Sequence, residues 1–315
     1  MPSKTLASKR LAPKKLAPKK LATKKSVHKA SLTILRADVL SNIPWLIHGF
    51  STRTGGFSRV YGGNSLNLGF TKEDSRNLVE KNRAAFLQKL GAVNKNQLWP
   101  LVTLRQIHSD LIHCVTVPPK ETLAGDGLLT ATREIILGIQ TADCLPVILV
   151  DTKKRAVGVF HAGWRGTVKR IVEKGVGEMR RYFNSTPRDI KAAIGPGVRN
   201  CCYEVGEEVR TTFENQFAYA GALFHEVKES DHIRECYPLL FLTSRAPGHS
   251  DLPKKIFLNL LEANRRQLLD AGVSAKNIEI SKFCTACNTD LLFSYRKEKE
   301  KGGTGRMLAA VGIKK

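Results

Sequence analysis

The segment that decides the fold is CLPVILVDTKKRAVGVFH, residues 144–161. Residues 145–150 and 156–160 are apolar runs of strand length, so we predict two buried strands there. The polar residues between them, 151–155, are few enough for a short turn, which favours an antiparallel hairpin. In such a hairpin, the residue before the first strand and the residue after the second lie at the same end of the sheet.

Outward from the hairpin, predicted strands and helices follow one another without a strict order. Strands are predicted at residues 135–140, 190–194 and 278–280, and helices at residues 74–90, 167–183, 206–217 and 257–271. Because one strand does not alternate regularly with one helix, the pattern favours an α/β or α+β fold with mixed sheets. No segment of residues 31–315 is rich enough in glycine, proline or serine to divide it, so we predict one domain there.

The composition is typical of a globular protein inside the cell. The chain has 315 residues, and 42% of them are hydrophobic, which is enough for a sizeable core. No stretch approaches the roughly 18 consecutive apolar residues of a membrane-spanning helix, and the first residues lack the apolar region of a secretory signal. The seven cysteines are sparse, which indicates reduced thiols. We therefore expect a cytoplasmic protein without a membrane partner.

The first 30 residues differ from the rest of the chain. They contain nine lysines, Arg10 and a repeat that reads LASKR, LAPKK, LAPKK and LATKK. Because Pro13 and Pro18 interrupt any helix and few apolar side chains are present, residues 1–30 are predicted to be a disordered basic tail. The tail is interpreted as a solubilising appendage, a non-specific contact to nucleic-acid phosphates, or a targeting peptide. The chain carries a net charge of +23 and stays positive without the tail, which suits an anionic partner.

Three reactive residues stand where predicted elements begin or end: His108 in RQIHSD, Cys144 in TADC, and His161 in FHAGW. A thiolate and two imidazoles suit zinc, and three protein ligands leave a fourth position open, as in catalytic zinc sites. Their spacing is not that of a zinc finger. Two other interpretations remain open: a core cysteine with two hydrogen-bonded histidines, and a Cys144–His161 nucleophile pair.

Several longer motifs resemble those of the YfiH family. They are HGFSTRTGGFS, SLNLGF, RQIHSD, GDGLLT, TADCLPVILVD, FHAGWRGT, AAIGPGVRNCCYEVGEEV, CTACNTDLLFSYRKEK and TGRM, in the family's order over about residues 47–313. The family, once labelled laccase-like multicopper polyphenol oxidases, is described as purine nucleoside phosphorylases with adenosine deaminase activity. The resemblance implies that residues 31–315 form a catalytic domain acting on purine nucleosides and phosphate. It also implies a layered α-β-β-α sandwich with mixed sheets.

The resemblance implies that His108, Cys144 and His161 bind Zn²⁺. A copper-dependent polyphenol oxidase is the less favoured alternative, because multicopper sites use paired H-x-H motifs and the eight histidines here form none. The fold is related to that of cysteine hydrolases, which keeps a Cys144–His161 hydrolase open. A further alternative without catalysis is a nucleic-acid-associated protein that binds through residues 1–30.

The two implied reactions require further residues. Deamination needs a group that moves protons, and Asp143, beside the cysteine of TADC, is the candidate, with a supporting or strand-capping role as the alternative. Phosphorolysis needs a phosphate ligand, for which the planar guanidinium of arginine is suited. Arg53 in TRTGG is the first choice, Arg165 the second, and Arg296 and Arg306 the third.

Other motif residues are interpreted as structural. Asp126, between two glycines, is expected to fix a turn, with ribose binding as the alternative. The adjacent Cys201 and Cys202 are expected to be buried and not to bind one metal ion together. Cys284 and Cys287 form a C-x-x-C pair that is interpreted as part of the core or of a pocket wall rather than as a metal site.

Overall fold

The computed structural model describes residues 31–95, 97–228 and 254–315. Within these ranges the helices are α1 (Asp38–Ser41), α2 (Arg76–Leu90), α3 (Trp164–Val168), α4 (Ile171–Phe183), α5 (Glu207–Gln216), α6 (Leu260–Asp270) and α7 (Tyr295–Glu298). The predicted basic tail, residues 1–30, lies outside the described residues and stays a prediction. In the described part of the chain, no helix combines the length and apolar character needed to span a bilayer.

Two mixed sheets form the body of the protein. The first contains, in spatial order, β1 (Ile34–Leu35), β2 (Leu46–Ser51), β17 (Met307–Ile313), β9 (Ile136–Thr141) and β6 (Leu101–Thr103). The second contains β16 (Ile278–Ile280), β12 (Ile190–Ile194), β10 (Leu145–Asp151), β11 (Ala156–Ala162), β8 (Gly127–Thr130) and β7 (Ile112–Cys114). Most neighbouring strands are antiparallel, and three pairs, β6–β9, β7–β8 and β12–β16, are parallel.

Smaller strands lie outside these sheets. A three-stranded sheet is built from β13 (Glu204–Val205), β15 (Lys254–Leu258) and β14 (Phe224–Lys228), and a two-stranded one from β4 (Val93–Asn94) and β5 (Gln97–Leu98). The remaining strand, β3 (Thr54–Ser58), forms bridges to Ser65.

The two large sheets pack face to face over a shared core. The first sheet contributes Phe50, Leu137, Ile139, Ala309 and Val311, and the second contributes Leu128, Ile148, Val150, Val157 and Val159. Side chains in a strand alternate between the two faces, so the odd positions of β10 point the other way. Leu145, Val147 and Leu149 accordingly pack with the helices on the outer side of the second sheet. Each sheet is therefore buried on both faces.

Helices cover both outer faces. On the second sheet, α4, α5 and α6 contribute Ile171, Val172, Val176, Met179, Val209, Phe213, Leu261 and Leu268 to the outer core. On the first sheet, α2 packs Phe86, Leu87 and Leu90 against the outward-facing side chains of β2, β9 and β17. These layers confirm the predicted α-β-β-α sandwich with mixed sheets.

The predicted hairpin is confirmed. Strands β10 and β11 pair antiparallel along their whole length, with Asp151 opposite Ala156 at the turn and Leu145 opposite Ala162 at the other end. The Asp151 carboxylate accepts hydrogen bonds from the amides of Lys153 and Lys154, which closes the turn.

Two predicted helices were wrong in their bounds. The helix predicted over residues 167–183 is divided into α3 and α4, because Arg170 adopts a left-handed conformation with φ 61°. The helix predicted over residues 257–271 begins only at α6, because the residues before Asn259 pair with β13 and β14 as strand β15. The Asn259 side chain then accepts the Glu262 amide and caps the helix.

Candidate metal centre and active site

The β10–β11 hairpin positions two of the three candidate ligands. Cys144 directly precedes β10, and His161 lies in β11 opposite Pro146. The antiparallel register therefore places the thiol and the imidazole at the same end of the second sheet, as the sequence predicted. His161 is buried, with 4% of its surface exposed, whereas Cys144 is half-buried and reachable from the adjoining cavity.

The third candidate, His108, comes from the loop that follows β6. Its φ of 57° lies in the left-handed region, which is uncommon for a residue with a Cβ atom and is often found at functional sites. Its Nε2 lies 4.0 Å from Cys144 Sγ, and its ring centroid lies 4.9 Å from that of His161. One nitrogen from each imidazole and the Cys144 sulfur all lie within 4.8 Å of one another. The structure thus brings the three predicted ligands together.

Asp126 holds the His108 loop and the His161 imidazole in place. Its carboxylate is fully buried and accepts hydrogen bonds from His161 Nδ1 at 2.8 Å and from the His108 amide at 3.1 Å. It also accepts the amide of Ile107 and both the amide and the hydroxyl of Ser109. Because Asp126 occupies Nδ1 of His161, Nε2 is the nitrogen left to bind a metal.

Sequence reasoning assigned Asp126 to a turn or to ribose, and it missed the contact with His161. A signal was available, since metal-binding histidines usually donate their second ring N–H to a carboxylate, and Asp126 lies directly before strand β8, which pairs with β11. The carboxylate accepts hydrogen bonds from five donors of the protein, so its hydrogen-bonding capacity is already used.

The pKa values of this group are shifted by their mutual contacts. Burial opposes ionisation of the Cys144 thiol, but the charge of His161 and hydrogen bonds from both histidines outweigh it and lower the pKa to about 6. Burial likewise opposes the charged form of His161, yet the Cys144 thiolate and Asp126 raise its pKa to about 9. Burial would raise the pKa of Asp126, but hydrogen bonds from His161 and Ser109 lower it to about 2. The cysteine is thus poised as a thiolate, which is the form that binds metals.

The three candidate ligands line a cavity of about 510 Å³. The other lining residues are Leu104, Gln106, Gln140, Thr141, Ala142, Tyr295 and Arg306. The side chain of Gln106 exchanges two hydrogen bonds of 2.8 Å with the backbone of Gln140, which fixes one wall. The volume falls within the roughly 300–1,000 Å³ of small-molecule sites, so the cavity suits a nucleoside-sized ligand.

Gly163 allows the close approach of the candidate ligands. A Cβ atom at this position would lie 3.0 Å from Cys144 Sγ and 3.2 Å from His108 Cδ2. Both distances are tighter than ordinary van der Waals contact. The glycine of the FHAGW motif therefore leaves the space in which the three ligands meet.

Of the four predicted phosphate ligands, Arg306 lines this cavity together with the three candidate metal ligands. Its Nη1 donates to the carbonyl oxygens of Thr304 at 2.8 Å and Gly305 at 3.1 Å. These contacts hold the guanidinium group in the wall formed by the first sheet.

Arg53, the first choice from the sequence, lies in a separate cavity of about 660 Å³. Its Nη1 donates to Glu298 Oε1 at 2.6 Å and to the Thr289 carbonyl, and its Nη2 donates to the Tyr61 carbonyl. The guanidinium group therefore joins three segments of the chain. This placement favours a structural role for Arg53, which is the alternative to phosphate binding.

Arg165 and Arg296 both lie near enough to Tyr203 to influence its pKa. The guanidinium group of Arg296 stacks 4.6 Å from the centre of the Tyr203 ring, and that of Arg165 lies 4.3 Å from the ring of Trp164. Burial raises the pKa of Tyr203, as does the negative charge of Cys144, whereas both arginines act in the opposite direction. Neither of them is among the lining residues of the cavity that contains the three candidate metal ligands.

Asp143 supports the loops around the site. Its carboxylate accepts hydrogen bonds from Thr285 Oγ1 at 2.6 Å, Ser294 Oγ at 2.8 Å and the Arg296 amide at 2.7 Å. Its φ is 94°, an unfavourable value that these contacts maintain. With only 6% of its surface exposed, Asp143 fits the supporting role better than the proton-transfer role.

The predictions for the two pairs of motif cysteines were wrong in part. Cys201 is exposed and Cys202 is half-buried, so neither belongs to the buried class. Cys284 is buried in the outer core, as expected, but Cys287 is exposed. The two pairs also lie together: the sulfur atoms of Cys201, Cys202, Cys284 and Cys287 are all within 4.8 Å of one another.

Comparisons with known proteins show which family the chain belongs to. A family model described as multi-copper polyphenol oxidoreductase laccase matches residues 47–314. The crystal structure of the Bacillus licheniformis hypothetical protein YfiH has a TM-score of 0.70 and 32% sequence identity, over 85% of this chain and 93% of that chain. The chain belongs to the YfiH family. The resemblance that the motifs indicated is therefore confirmed.

Two relatives carry names that describe activities. This YfiH-family chain is 34% identical over 278 residues to the purine nucleoside phosphorylase YlmD of Geobacillus stearothermophilus, over 84% of this chain and 89% of that protein. It is 37% identical over 172 residues to adenosine deaminase RL5 of an unknown prokaryotic organism, over 55% of this chain and 56% of that protein. Both names denote enzymes that act on purine nucleosides, and they support an enzymatic role for this family member.

Proposed function

We propose that this chain is a zinc-dependent purine nucleoside phosphorylase that also deaminates adenosine. The observation that carries the proposal is the convergence of His108, Cys144 and His161 within 4.8 Å of one another on the wall of a nucleoside-sized cavity. Inosine, adenosine and S-methyl-5′-thioadenosine are the proposed substrates, with phosphate as the second reactant. The reaction would release the free base and ribose 1-phosphate.

The donor set fits zinc. One thiolate and two imidazoles are zinc ligands, and three protein ligands leave a position for water or substrate. Zinc, when bound, supplies Lewis-acid activation of water for attack on the purine. The contribution of the protein is to fix the ligands: Asp126 sets the tautomer of His161, and the αL backbone of His108 is held through its amide.

The cavity supplies groups for binding the nucleoside. Tyr295 is about half exposed and offers an aromatic face for a purine ring. The paired Gln106 and Gln140 form a polar wall next to the candidate metal ligands, suited to hydrogen bonds with the base or the sugar. We propose that these groups orient the substrate between the metal and the guanidinium of Arg306.

We propose Arg306 as the main phosphate ligand, because it lines the cavity of the metal ligands while Arg53 lines another. A change of Arg306 to alanine should raise KM for phosphate at least tenfold and leave deamination, which needs no phosphate, within a few-fold of wild type. The matched variant Arg53→Ala should instead lower thermal stability. An unchanged KM for phosphate in Arg306→Ala would transfer the role to Arg165 or Arg296.

The direct test is an assay of the purified full-length chain. Each nucleoside is incubated with and without phosphate, and free base, ribose 1-phosphate and inosine are separated by chromatography, with zinc measured in the same preparation. The proposal predicts phosphate-dependent base release, deamination of adenosine without phosphate, and loss of both in His108→Ala. Absence of both activities in zinc-loaded protein would refute the proposal. Phenol oxidation with bound copper would support the laccase alternative instead.

A cysteine hydrolase is the second candidate. Cys144, His161 and Asp126 stand in the order nucleophile, base and orienting group, and His161 Nδ1 lies 2.8 Å from Asp126. In that case the metal-free protein would hydrolyse its substrate, and alkylation of Cys144 would abolish the activity. Alkylation of Cys144 would also inactivate the zinc enzyme, so metal removal discriminates: chelation would abolish the nucleoside phosphorylase and leave the cysteine hydrolase active.

A further inference from the structure

Four cysteines converge at a second place in the fold. Cys201 and Cys202 lie in the turn that follows β12, and Cys284 and Cys287 lie in the turn between β16 and α7. The Cys287 sulfur lies 3.6 Å from that of Cys201 and 3.3 Å from that of Cys202. All four sulfurs lie within 4.8 Å of one another. Two segments about 80 residues apart in sequence thus bring four thiol groups together.

The separations of the sulfurs match a tetrahedral metal site. With Zn–S bonds of about 2.3 Å, four thiolates around one zinc ion stand about 3.8 Å apart along each edge of the tetrahedron. The distances of 3.3 and 3.6 Å, together with the 4.8 Å limit, bracket this value. A disulfide joins only two sulfurs at about 2.05 Å and leaves the approach of the other two unexplained.

The adjacency of Cys201 and Cys202 does not prevent both from reaching one ion. In an extended strand neighbouring side chains point to opposite faces, but these two residues lie in a turn. The amides of Cys202 and Tyr203 both donate to the Arg199 carbonyl, which winds the chain tightly at this point. Both sulfurs consequently face Cys287.

The backbone around the cluster supplies further contacts to sulfur. The Arg199 amide donates to Cys284 Sγ at 3.5 Å, a type of hydrogen bond that stabilises and orients thiolate ligands. The Thr285 amide donates to the Gly197 carbonyl at 3.0 Å, which aligns the two turns side by side. The C-x-x-C pair is therefore attached to the opposing turn on the side that carries the other two sulfurs.

We propose that Cys201, Cys202, Cys284 and Cys287 bind one zinc ion as a closed, structural tetrathiolate site. Four protein ligands leave no open position, so this ion has no direct part in catalysis. Cys201 and Cys287 are exposed, and the metal can therefore enter from solvent.

The second zinc ion braces the candidate active site. Thr285, inside the C-x-x-C turn, donates to the Asp143 carboxylate, and the Asp143 carbonyl accepts the Val198 amide at 2.8 Å. Asp143 directly precedes Cys144. The tetrathiolate site thus fastens the two turns that hold the backbone of the metal-binding cysteine.

The test measures zinc in the wild-type chain and in three variants purified anaerobically with reductant. The variant His108→Ala/His161→Ala lacks the first site, Cys284→Ser/Cys287→Ser lacks the second, and Cys114→Ser removes a cysteine of β7 outside both groups. X-ray absorption at the zinc edge reports the number of sulfur ligands. The proposal predicts that the histidine variant keeps one zinc per chain with four sulfurs at about 2.3 Å. The Cys114 control should equal wild type.

The outcome does not depend on the proposed enzymatic function. If the His108, Cys144 and His161 group holds no zinc, the wild type should contain a single ion with four sulfur ligands. A histidine variant without zinc, or one whose zinc has fewer than four sulfur ligands, overturns the tetrathiolate site. A Cys202–Cys287 disulfide found by mass spectrometry in reduced, zinc-supplemented protein overturns it as well. Should the cysteine variant fail to fold, the histidine variant alone decides.

Discussion

Asp126→Asn tests whether the buried carboxylate sets the metal-binding nitrogen of His161. Oδ1 of Asp126 accepts His161 Nδ1 and the His108 amide, whereas Oδ2 accepts the Ile107 amide and two donors of Ser109. An asparagine has one acceptor oxygen, which replaces Oδ2 because three donors meet there. Its NH₂ group then faces His161 Nδ1 and can only donate a hydrogen bond, so Nδ1 must be the unprotonated nitrogen of the ring. The proton moves to Nε2, and the imidazole loses its metal-binding lone pair.

The losses of metal affinity and folding stability expected for Asp126→Asn follow from these contacts. Loss of a carboxylate behind a metal-binding histidine typically costs 10- to 100-fold in metal affinity, or about 1.4–2.7 kcal/mol. The amide also leaves the His108 N–H without an acceptor, at a cost of about 1–3 kcal/mol of folding stability. Because a domain of this kind is stable by about 5–15 kcal/mol, the variant should fold. We therefore expect zinc binding and activity to fall together in a folded protein.

The assay is competition for zinc with a chromophoric chelator at pH 7, alongside urea denaturation. Asp151→Asn is the matched control, since Asp151 is equally buried at the far end of β10 and uses only Oδ1, for the amides of Lys153 and Lys154. In the described part of the chain its Oδ2 has no hydrogen-bond partner, so replacing this oxygen with an NH₂ group breaks no hydrogen bond. Wild-type zinc affinity in Asp126→Asn, or an equal loss in Asp151→Asn, would refute the reasoning.

Three further predictions concern other parts of the chain. Gly163→Ala should weaken zinc binding at least tenfold, measured by the same competition, because the added Cβ meets Cys144 Sγ at 3.0 Å. Burial, together with the neighbouring charge of Arg36, lowers the pKa of His48 to about 4, so the imidazole stays neutral in the folded state at neutral pH. The contribution of His48 to the free energy of unfolding is complete above pH 6.5 and falls by roughly 3 kcal/mol as the pH falls to 4. In urea titrations at pH 7 and 4.5, the free energy of unfolding of His48→Gln should decrease less between the two pH values than that of the wild type. Deletion of residues 1–30 should preserve activity and abolish salt-sensitive DNA binding, and loss of activity would contradict the division of the chain.

The hairpin could be predicted because its signals are local. Both apolar runs and the polar turn lie within 18 residues, and the register places Cys144 and His161 at one end whatever the rest of the chain does. The position of the third candidate ligand, His108, could not be predicted in this way, because nothing in the local pattern of RQIHSD shows that its loop folds back on β8. Here the resemblance to a family supplied what periodicity did not.

The contacts that sequence reasoning missed join distant segments. Asp126 forms hydrogen bonds with residues 107–109 and with residue 161. Its role in orienting His161 depends on the pairing of β8 with β11, which the sequence alone does not show. The strand β15 looked helical because its apolar residues run directly into those of α6, and its true partners lie far away in the chain. Sequence reasoning missed the convergence of the four cysteines, because the two pairs lie about 80 residues apart and the adjacency of Cys201 and Cys202 argued against a shared metal.

The layered fold gives the two sheets different roles at the cavity. Cys144 and His161 stand at the end of the second sheet, whereas Thr141 ends β9 and Arg306 precedes β17 in the first. The substrate pose that we propose therefore has the candidate metal ligands on one side and the Arg306 guanidinium group on the other. Because these walls belong to separate hydrogen-bonded sheets, metal affinity and phosphate affinity should respond to different substitutions. Under the proposed function, this separation would let one cavity serve both phosphorolysis, which consumes phosphate, and deamination, which does not.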